Sequence, residues 1–248
     1  MNIGLAAGLA GRGQRRDDPE MTAAPAVPRE LAPGLWSWAR RHPDWHPGEF
    51  GSEVTGYLAR AGDETLLIDP LLDGPEDPAW ELIDSELGAS LRILISIPYH
   101  VRSAEQVRDR CRDRAAVSIH GHPGVADKLA SPETFEPFDA GDDLPAGVTA
   151  HAIGSPRRQE TPLHLPSLDT LLFGDAVVGT PEGPRVWSPA PLTDAKLAFF
   201  ADRFVPTLEP LLELDFDRLL LTHGPSLMEG GRAALEEALL RPPWYHPG

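Results

Sequence analysis

Leu91-Arg92-Ile93-Leu94-Ile95-Ser96-Ile97 is the stretch that most limits what this chain can become. An almost unbroken apolar run of that length marks a strand covered on both faces, as in a sheet with layers above and below it. It is far short of the ~20 residues that a membrane-crossing helix needs. A strand of this kind requires neighbours, and the sequence offers them. Val54 to Arg60 alternates as a half-buried strand should, Ala61-Gly62-Asp63-Glu64 reads as a turn, and Thr65 to Asp69 returns. Further strands are expected at Leu35–Trp38, Ala116–His120, Val148–Ile153, Pro162–Leu165, Thr170–Phe173 and Arg218–Thr222.

Helical patterns fall between the strands. One lies around Trp80 to Leu87. A second starts at Ser103, where Ser103 and Gln106 have capping-box spacing, and runs to Arg114. Others cover Val125–Ala130, Asp194–Phe204 (broken by Pro206 and Pro210) and Arg232–Leu240, which stops at Pro242-Pro243. Strands followed by helices, in two successive halves, imply an α/β sandwich: two mixed sheets face to face, with helices outside. Residues 31–248 form this domain. Residues 1–30, rich in Ala, Gly, Pro and Arg, are expected to be a disordered tail, and Met21 offers a second start.

Charge narrows the partners. Lys and Arg number 22 against 38 Asp and Glu, a net charge of −16. Such a surface repels phosphate backbones and anionic lipid, so no nucleic acid and no membrane is expected as a partner. The single cysteine, Cys111, excludes an intramolecular disulfide and a thiolate cluster, and fits a cytoplasmic protein. It lies between Arg110 and Arg112 in a helix and reads as packing. Neither a P-loop, nor Gly-x-Gly-x-x-Gly, nor Gly-x-Ser-x-Gly is present.

The strands end on residues that can do chemistry: Asp69, His100, Asp175 and His223. In layered α/β folds, sites form from strand-end loops at one edge. His100 has three readings: a metal ligand, a general base oriented by Asp175, or a loop histidine facing solvent. His223 can ligate, act as a base, or shape the Thr-His-Gly loop. Asp175 is a functional acid or a turn cap. Arg157-Arg158-x-Glu160 is an ion-rich loop that can grip an anion, lock Asp175, or simply face water. His120-Gly-His122 looks like a metal pair but follows a different strand, so it is expected at most on the rim of the site. Trp36, Trp38 and Trp45 suit core or pocket wall. His42, His46 and His246 have no acidic orienter at strand or helix spacing and receive no role.

The order of these strand ends resembles the metallo-β-lactamase-fold superfamily of metallo-hydrolases, which includes glyoxalase II. Gly56-Tyr57-Leu58 through Leu67-Ile68-Asp69 is similar to that family's opening hairpin. Leu171-Leu172-Phe173-Gly174-Asp175 is similar to the strand whose Asp bridges two metals, and Leu220-Leu221-Thr222-His223-Gly224 to the late strand whose His holds the second metal. The signature His-x-His-x-Asp-His is missing. After the buried strand the chain reads Pro98-Tyr99-His100-Val101-Arg102, so His100 is out of register and Arg102 stands at the last His. The further His upstream of the Gly-Asp strand is replaced by Gly154-Ser155-Pro156-Arg157-Arg158.

The resemblance therefore implies an αββα fold with a degraded site. A dinuclear zinc centre is not expected, because two metals bring four positive charges within about 4 Å and need histidines and carboxylates to hold them. What remains is no cofactor, or a single divalent metal (zinc first) on His100, Asp175 and His223. Arg102, or else Arg157 or Arg158, supplies the missing cation by pairing with Asp175. The function implied is hydrolysis of a small ester, thioester or lactone, with His100, Arg102, Asp175 and His223 as catalytic candidates. The alternative is a non-catalytic relative that serves as a binding or structural module. Either way the partner is a small-molecule substrate or ligand.

Overall fold

A computed structural model describes residues 26–45 and 51–246. Strands β1 (Arg29–Ala32), β2 (Leu35–Arg41), β3 (Glu53–Ala61) and β4 (Glu64–Ile68) form an antiparallel meander. Strands β5 (Ser90–Ile95), β6 (Ala116–Gly121) and β7 (Phe135–Pro137) then add in parallel, giving a seven-stranded sheet in the order β1 to β7. The second sheet uses β8 (Thr149–Ala150), β9 (Leu163–Leu165), β10 (Thr170–Phe173) and, after the hairpin β11 (Val177–Thr180) and β12 (Gly183–Val186), β13 (Arg218–Leu221). Its order is β13-β10-β9-β8, with β10 and β13 parallel.

Period-two alternation decides which layer each residue joins. Leu66, Ile68 and Leu94 of the first sheet meet Leu163, Leu165, Leu172 and Leu220 of the second, forming the core between the sheets. Leu67, Ile93 and Ile95 face the other way, onto α1 (Ala79–Ser85) and α2 (Ala104–Cys111) through Trp80, Ile83, Val107 and Cys111. Leu171, Phe173, Leu219 and Leu221 face outward on the second sheet. They pack against Phe200, Phe204 and Leu208, the last in α4 (Val205–Leu208), which follows α3 (Asp194–Phe199), and against Leu235 of α5 (Gly231–Leu240). These are the four layers expected from the sequence, helix–sheet–sheet–helix.

Several local expectations are corrected. The domain starts before Leu31, since Arg29 and Glu30 already pair with β2; the expected tail up to residue 25 lies outside the described residues. Ser103 does not cap α2 with its side chain. Its hydroxyl instead accepts the Leu72 N–H at 3.0 Å, and α2 ends at Cys111. The 194–204 helix changes winding: residues Phe200–Phe204 form a π turn, and Pro206 sits in the first turn of α4, where its missing N–H costs little. The helix expected over Val125–Ala130 is a 3-10 segment, Pro123–Lys128, and the strand expected over Val148–Ile153 shrinks to β8.

At one edge the two sheets are joined directly. Thr55 N–H donates to the Thr222 carbonyl at 2.8 Å, and Thr161 N–H to the Ser96 carbonyl at 2.8 Å. The Tyr57 hydroxyl, buried in β3, donates to the Leu221 carbonyl at 2.5 Å. The loops leaving β4, β5, β10 and β13 therefore open onto a common edge. Among the described residues, no helix is long and apolar enough to cross a membrane.

Candidate functional site

Asp69 follows β4 with a left-handed backbone, φ 48°, which turns its carboxylate back under the loop after β5. It is fully buried. Its oxygens accept the Ser96 N–H at 2.8 Å, the Ser96 hydroxyl, and His100 Nδ1 at 2.9 Å. An ionised carboxylate only accepts, so the proton of that last bond belongs to Nδ1. His100, on the 3-10 turn Pro98–Val101, thereby presents Nε2 to Asp175 Oδ1, 3.3 Å away. From the loop after β13, His223 Nε2 reaches the same oxygen at 3.2 Å.

Asp175 Oδ1 is thus the meeting point of two imidazole nitrogens. It is buried, yet it receives no hydrogen bond of acceptable geometry. With Nδ1 of His100 committed to Asp69, an Nε2 lone pair facing a carboxylate oxygen calls for a cation between or on them, a metal ion or a proton. The three ligand atoms lie within 4.8 Å of one another. Tetrahedral zinc with nitrogen and oxygen ligands at about 2.0–2.2 Å sets neighbouring ligand atoms about 3.3–3.5 Å apart. The donor set fits one such ion, and the Asp69–His100 bond is the carboxylate–histidine support that ligating histidines have.

The other carboxylate oxygen, Asp175 Oδ2, is held by Arg157 Nη1 at 3.1 Å. The Arg157 guanidinium also lies over the Trp187 ring, 4.6 Å from its centroid. Arg157 is therefore the arginine that pairs with Asp175. Arg102 is not: its Nη1 donates to the Asp69 carbonyl at 3.2 Å, and it forms no ion pair with the described residues. Arg102 adopts φ 40° and ψ −112° at the end of the 3-10 turn, and its side chain lines the cleft.

Glu160 completes the support. Fully buried, it accepts the backbone N–H groups of Gly174 and Ala176 on Oε1, both at 3.0 Å, and so cradles the turn that carries Asp175. Burial, joined by the negative Asp175, pushes the Glu160 carboxyl up to about 7. For Asp175 burial acts upward too, but His100 and His223 outweigh it and hold the carboxyl well below the ordinary range. Burial and Arg102 pull His100 down, whereas Asp69 and Asp175 leave it net raised; burial lowers His223, only partly offset by Asp175.

These groups lie at the base of a cleft of about 290 Å³ whose walls include Trp45, Val54, Tyr99, Trp187 and Tyr245. His42 and His246 also line it, although their sequence context gave them no role; His46 lies outside the described residues. The His120-Gly-His122 pair lies elsewhere. His120 bonds the Ser118 hydroxyl at 2.7 Å, and His122 accepts the Gly124 N–H at 3.0 Å. Trp38 is core, with its indole N–H on the Leu71 carbonyl, and Trp36 packs against the same cluster.

No protein-family profile matches the sequence, and no curated protein does. Solved structures do. A beta-lactamase domain protein from Burkholderia ambifaria superposes with a TM-score of 0.60 at 19% identity, over 89% of this chain and 78% of that one. A metallo beta lactamase from Erythrobacter litoralis gives 0.58 at 19% identity, over 86% and 93%. A metal-soaked flavodiiron core from Synechocystis gives 0.61 at 16% identity, over 88% of this chain and 61% of its own. The chain has the metallo-β-lactamase fold.

Proposed function

We propose that this chain is a metallo-hydrolase-like protein with a reduced, mononuclear site that acts on a small ester, thioester or lactone. One observation carries the reading: Asp175 turns one oxygen to two imidazoles and the other to Arg157. A carboxylate that bridged two ions with one oxygen on each would have both oxygens open to metal. Here a guanidinium takes the second place, leaving room for one ion on His100, Asp175 and His223. A divalent ion held there, zinc first by its nitrogen–oxygen donor set, would supply Lewis acidity and acidify a water.

The remaining tasks fall to the chain itself. Asp69 fixes the His100 tautomer and ring plane, and Glu160 fixes the Gly174–Ala176 turn. Arg157 keeps Asp175 oriented. Arg102, in the wall, offers a fixed positive charge for negative charge that develops on a substrate oxygen. The aromatic walls limit access of water to the base of the cleft.

A second reading, a metal-free binding module, draws on the same Arg157 contact, because an internal cation already offsets part of the Asp175 charge. Zinc titration of the chelator-treated full chain separates the two, with elemental analysis of the loaded protein. One ion per chain is expected, with binding lost in His223→Ala and Asp175→Ala. Two ions, or no binding, would overturn the mononuclear reading, and a lack of binding favours the module.

A further inference from the structure

Arg102 is a cation in the cleft wall with unspent donors. Its guanidinium donates once, from Nη1 to the Asp69 carbonyl, and its Nε is buried with no partner. No carboxylate of the described residues comes within ion-pair distance. Asp69 is satisfied by Ser96 and His100, and Asp175 faces the two histidines through one oxygen and Arg157 through the other. The Trp45 indole N–H, in the same wall, is likewise buried without an acceptor. The rest of the described wall mixes apolar and aromatic side chains, Val54, Tyr99, Trp187 and Tyr245, with the imidazoles of His42 and His246 and with Ser188. Tyr99 is 64% exposed at the mouth, with the Lys128 ammonium over its ring, 5.3 Å from the centroid.

From this arrangement we infer that the cleft takes a small carboxylate carried on an aromatic or branched apolar body, with the carboxylate on Arg102 and the body against Trp187 and Tyr245. Carboxylate suits the planar fork of a guanidinium and supplies the acceptors the wall lacks. A phosphate dianion would bring a second negative charge beside Asp175, more than the single guanidinium of the described wall offsets. The cleft volume, about 290 Å³, holds a single ring and a short chain. The inference names the substrate class of the site described above and rests on the hydrolytic reading for its catalytic meaning; the carboxylate contact itself needs no metal.

The test uses the full chain in chelator, with binding read by calorimetry and by quenching of tryptophan fluorescence. The probes are 3-phenylpropionate, its neutral amide, acetate and phenyl phosphate. The acid is expected to bind about tenfold or more tighter than the amide, as a charge-assisted contact requires. Acetate should bind at least as much more weakly than the acid. Arg102→Gln should remove the preference for acid over amide and leave the amide unchanged, and Arg102→Lys should restore part of it. Equal binding of acid and amide, or no saturable binding of the acid, overturns the inference. Tighter binding of phenyl phosphate than of the acid overturns it in favour of a phosphorylated ligand. If Arg102→Gln does not fold, the four probes on the unaltered chain still decide. Because zinc is absent, loss of the mononuclear reading and loss of this one are separate results: a chain that binds the acid but no zinc keeps the carboxylate site and loses the hydrolase.

Discussion

Replacing Asp69 by Asn tests whether the buried carboxylate sets the state of His100. The change alters one atom in a fully buried group that accepts three hydrogen bonds, from Ser96 N–H, the Ser96 hydroxyl and His100 Nδ1. If the amide oxygen stays on the Ser96 N–H, the new NH2 group faces the Ser96 hydroxyl and Nδ1. The hydroxyl can rotate and accept. The imidazole must shed its Nδ1 proton and carry it on Nε2, the atom that points at Asp175. One hydrogen bond to a charged acceptor is exchanged for a weaker neutral one, so the loss of stability should be about 2 kcal/mol. The larger effect is on metal: with Nε2 protonated, His100 has no lone pair to offer, and zinc affinity should fall about 10–100-fold, or about 1.4–2.7 kcal/mol. Urea midpoints in chelator give the first figure, and competition titration with a chromogenic chelator gives the second. A variant that loses stability yet binds zinc as the parent does would show that Asp69 only props the loop, and the tautomer argument would be wrong.

Arg40 and Asp77 form a bidentate pair at 2.6 Å, with both side chains almost wholly buried. Arg40→Ala should therefore cost about 3–5 kcal/mol in urea unfolding. Burial alone would raise the Asp77 carboxyl, but its hydrogen bonds, that from Arg40 first, hold it below its usual value. The stability it contributes is complete above the unfolded carboxylate range near about 4 and is lost as pH falls through the folded value, so Arg40→Ala should flatten the acid limb of a stability–pH curve. Tyr57→Phe leaves the Leu221 carbonyl without its donor and should cost about 1–3 kcal/mol, measured the same way. Burial pushes the Cys111 thiol up and seals it from solvent, so a disulfide reagent should modify it only at the rate of unfolding; rapid modification of the native chain would contradict the packing described.

What could be foreseen from the sequence was whatever local periodicity controls. Leu66, Leu67 and Ile68 on one strand and Leu171, Leu172 and Phe173 on another alternate between layers because successive side chains point to opposite faces. Asp69, His100, Asp175 and His223 stand out because each follows such a strand, and the structure brings them together. Which arginine meets Asp175 was not legible. Arg102 lies nearer His100 in the chain, but it adopts a backbone angle of φ 40° that no propensity favours, and its side chain lines the cleft. Arg157 comes from a loop whose course is set by the Thr161–Ser96 contact, between residues 65 apart in the sequence but adjacent in space. Glu160 was visible only as part of a charged loop; its grip on the Gly174–Ala176 turn is a tertiary fact. His42 and His246 were passed over for the same reason, since they come from opposite ends of the domain to line one cleft.

The backbone bonds that join the two sheets, Thr55 to Thr222 and Thr161 to Ser96, place the site on the seam between the halves of the sandwich. His100 is delivered by one half, and Asp175 and His223 by the other. An ion held by all three is a cross-link between units that are far apart in sequence, and it exists only while both are docked. Its binding energy therefore adds to the docking of the halves: at a hundred times the dissociation constant the gain is about 2.7 kcal/mol. Slow amide exchange should then spread from β10 and β13 across to β4 and β5 together, so that occupancy of a small site is reported by the whole sandwich.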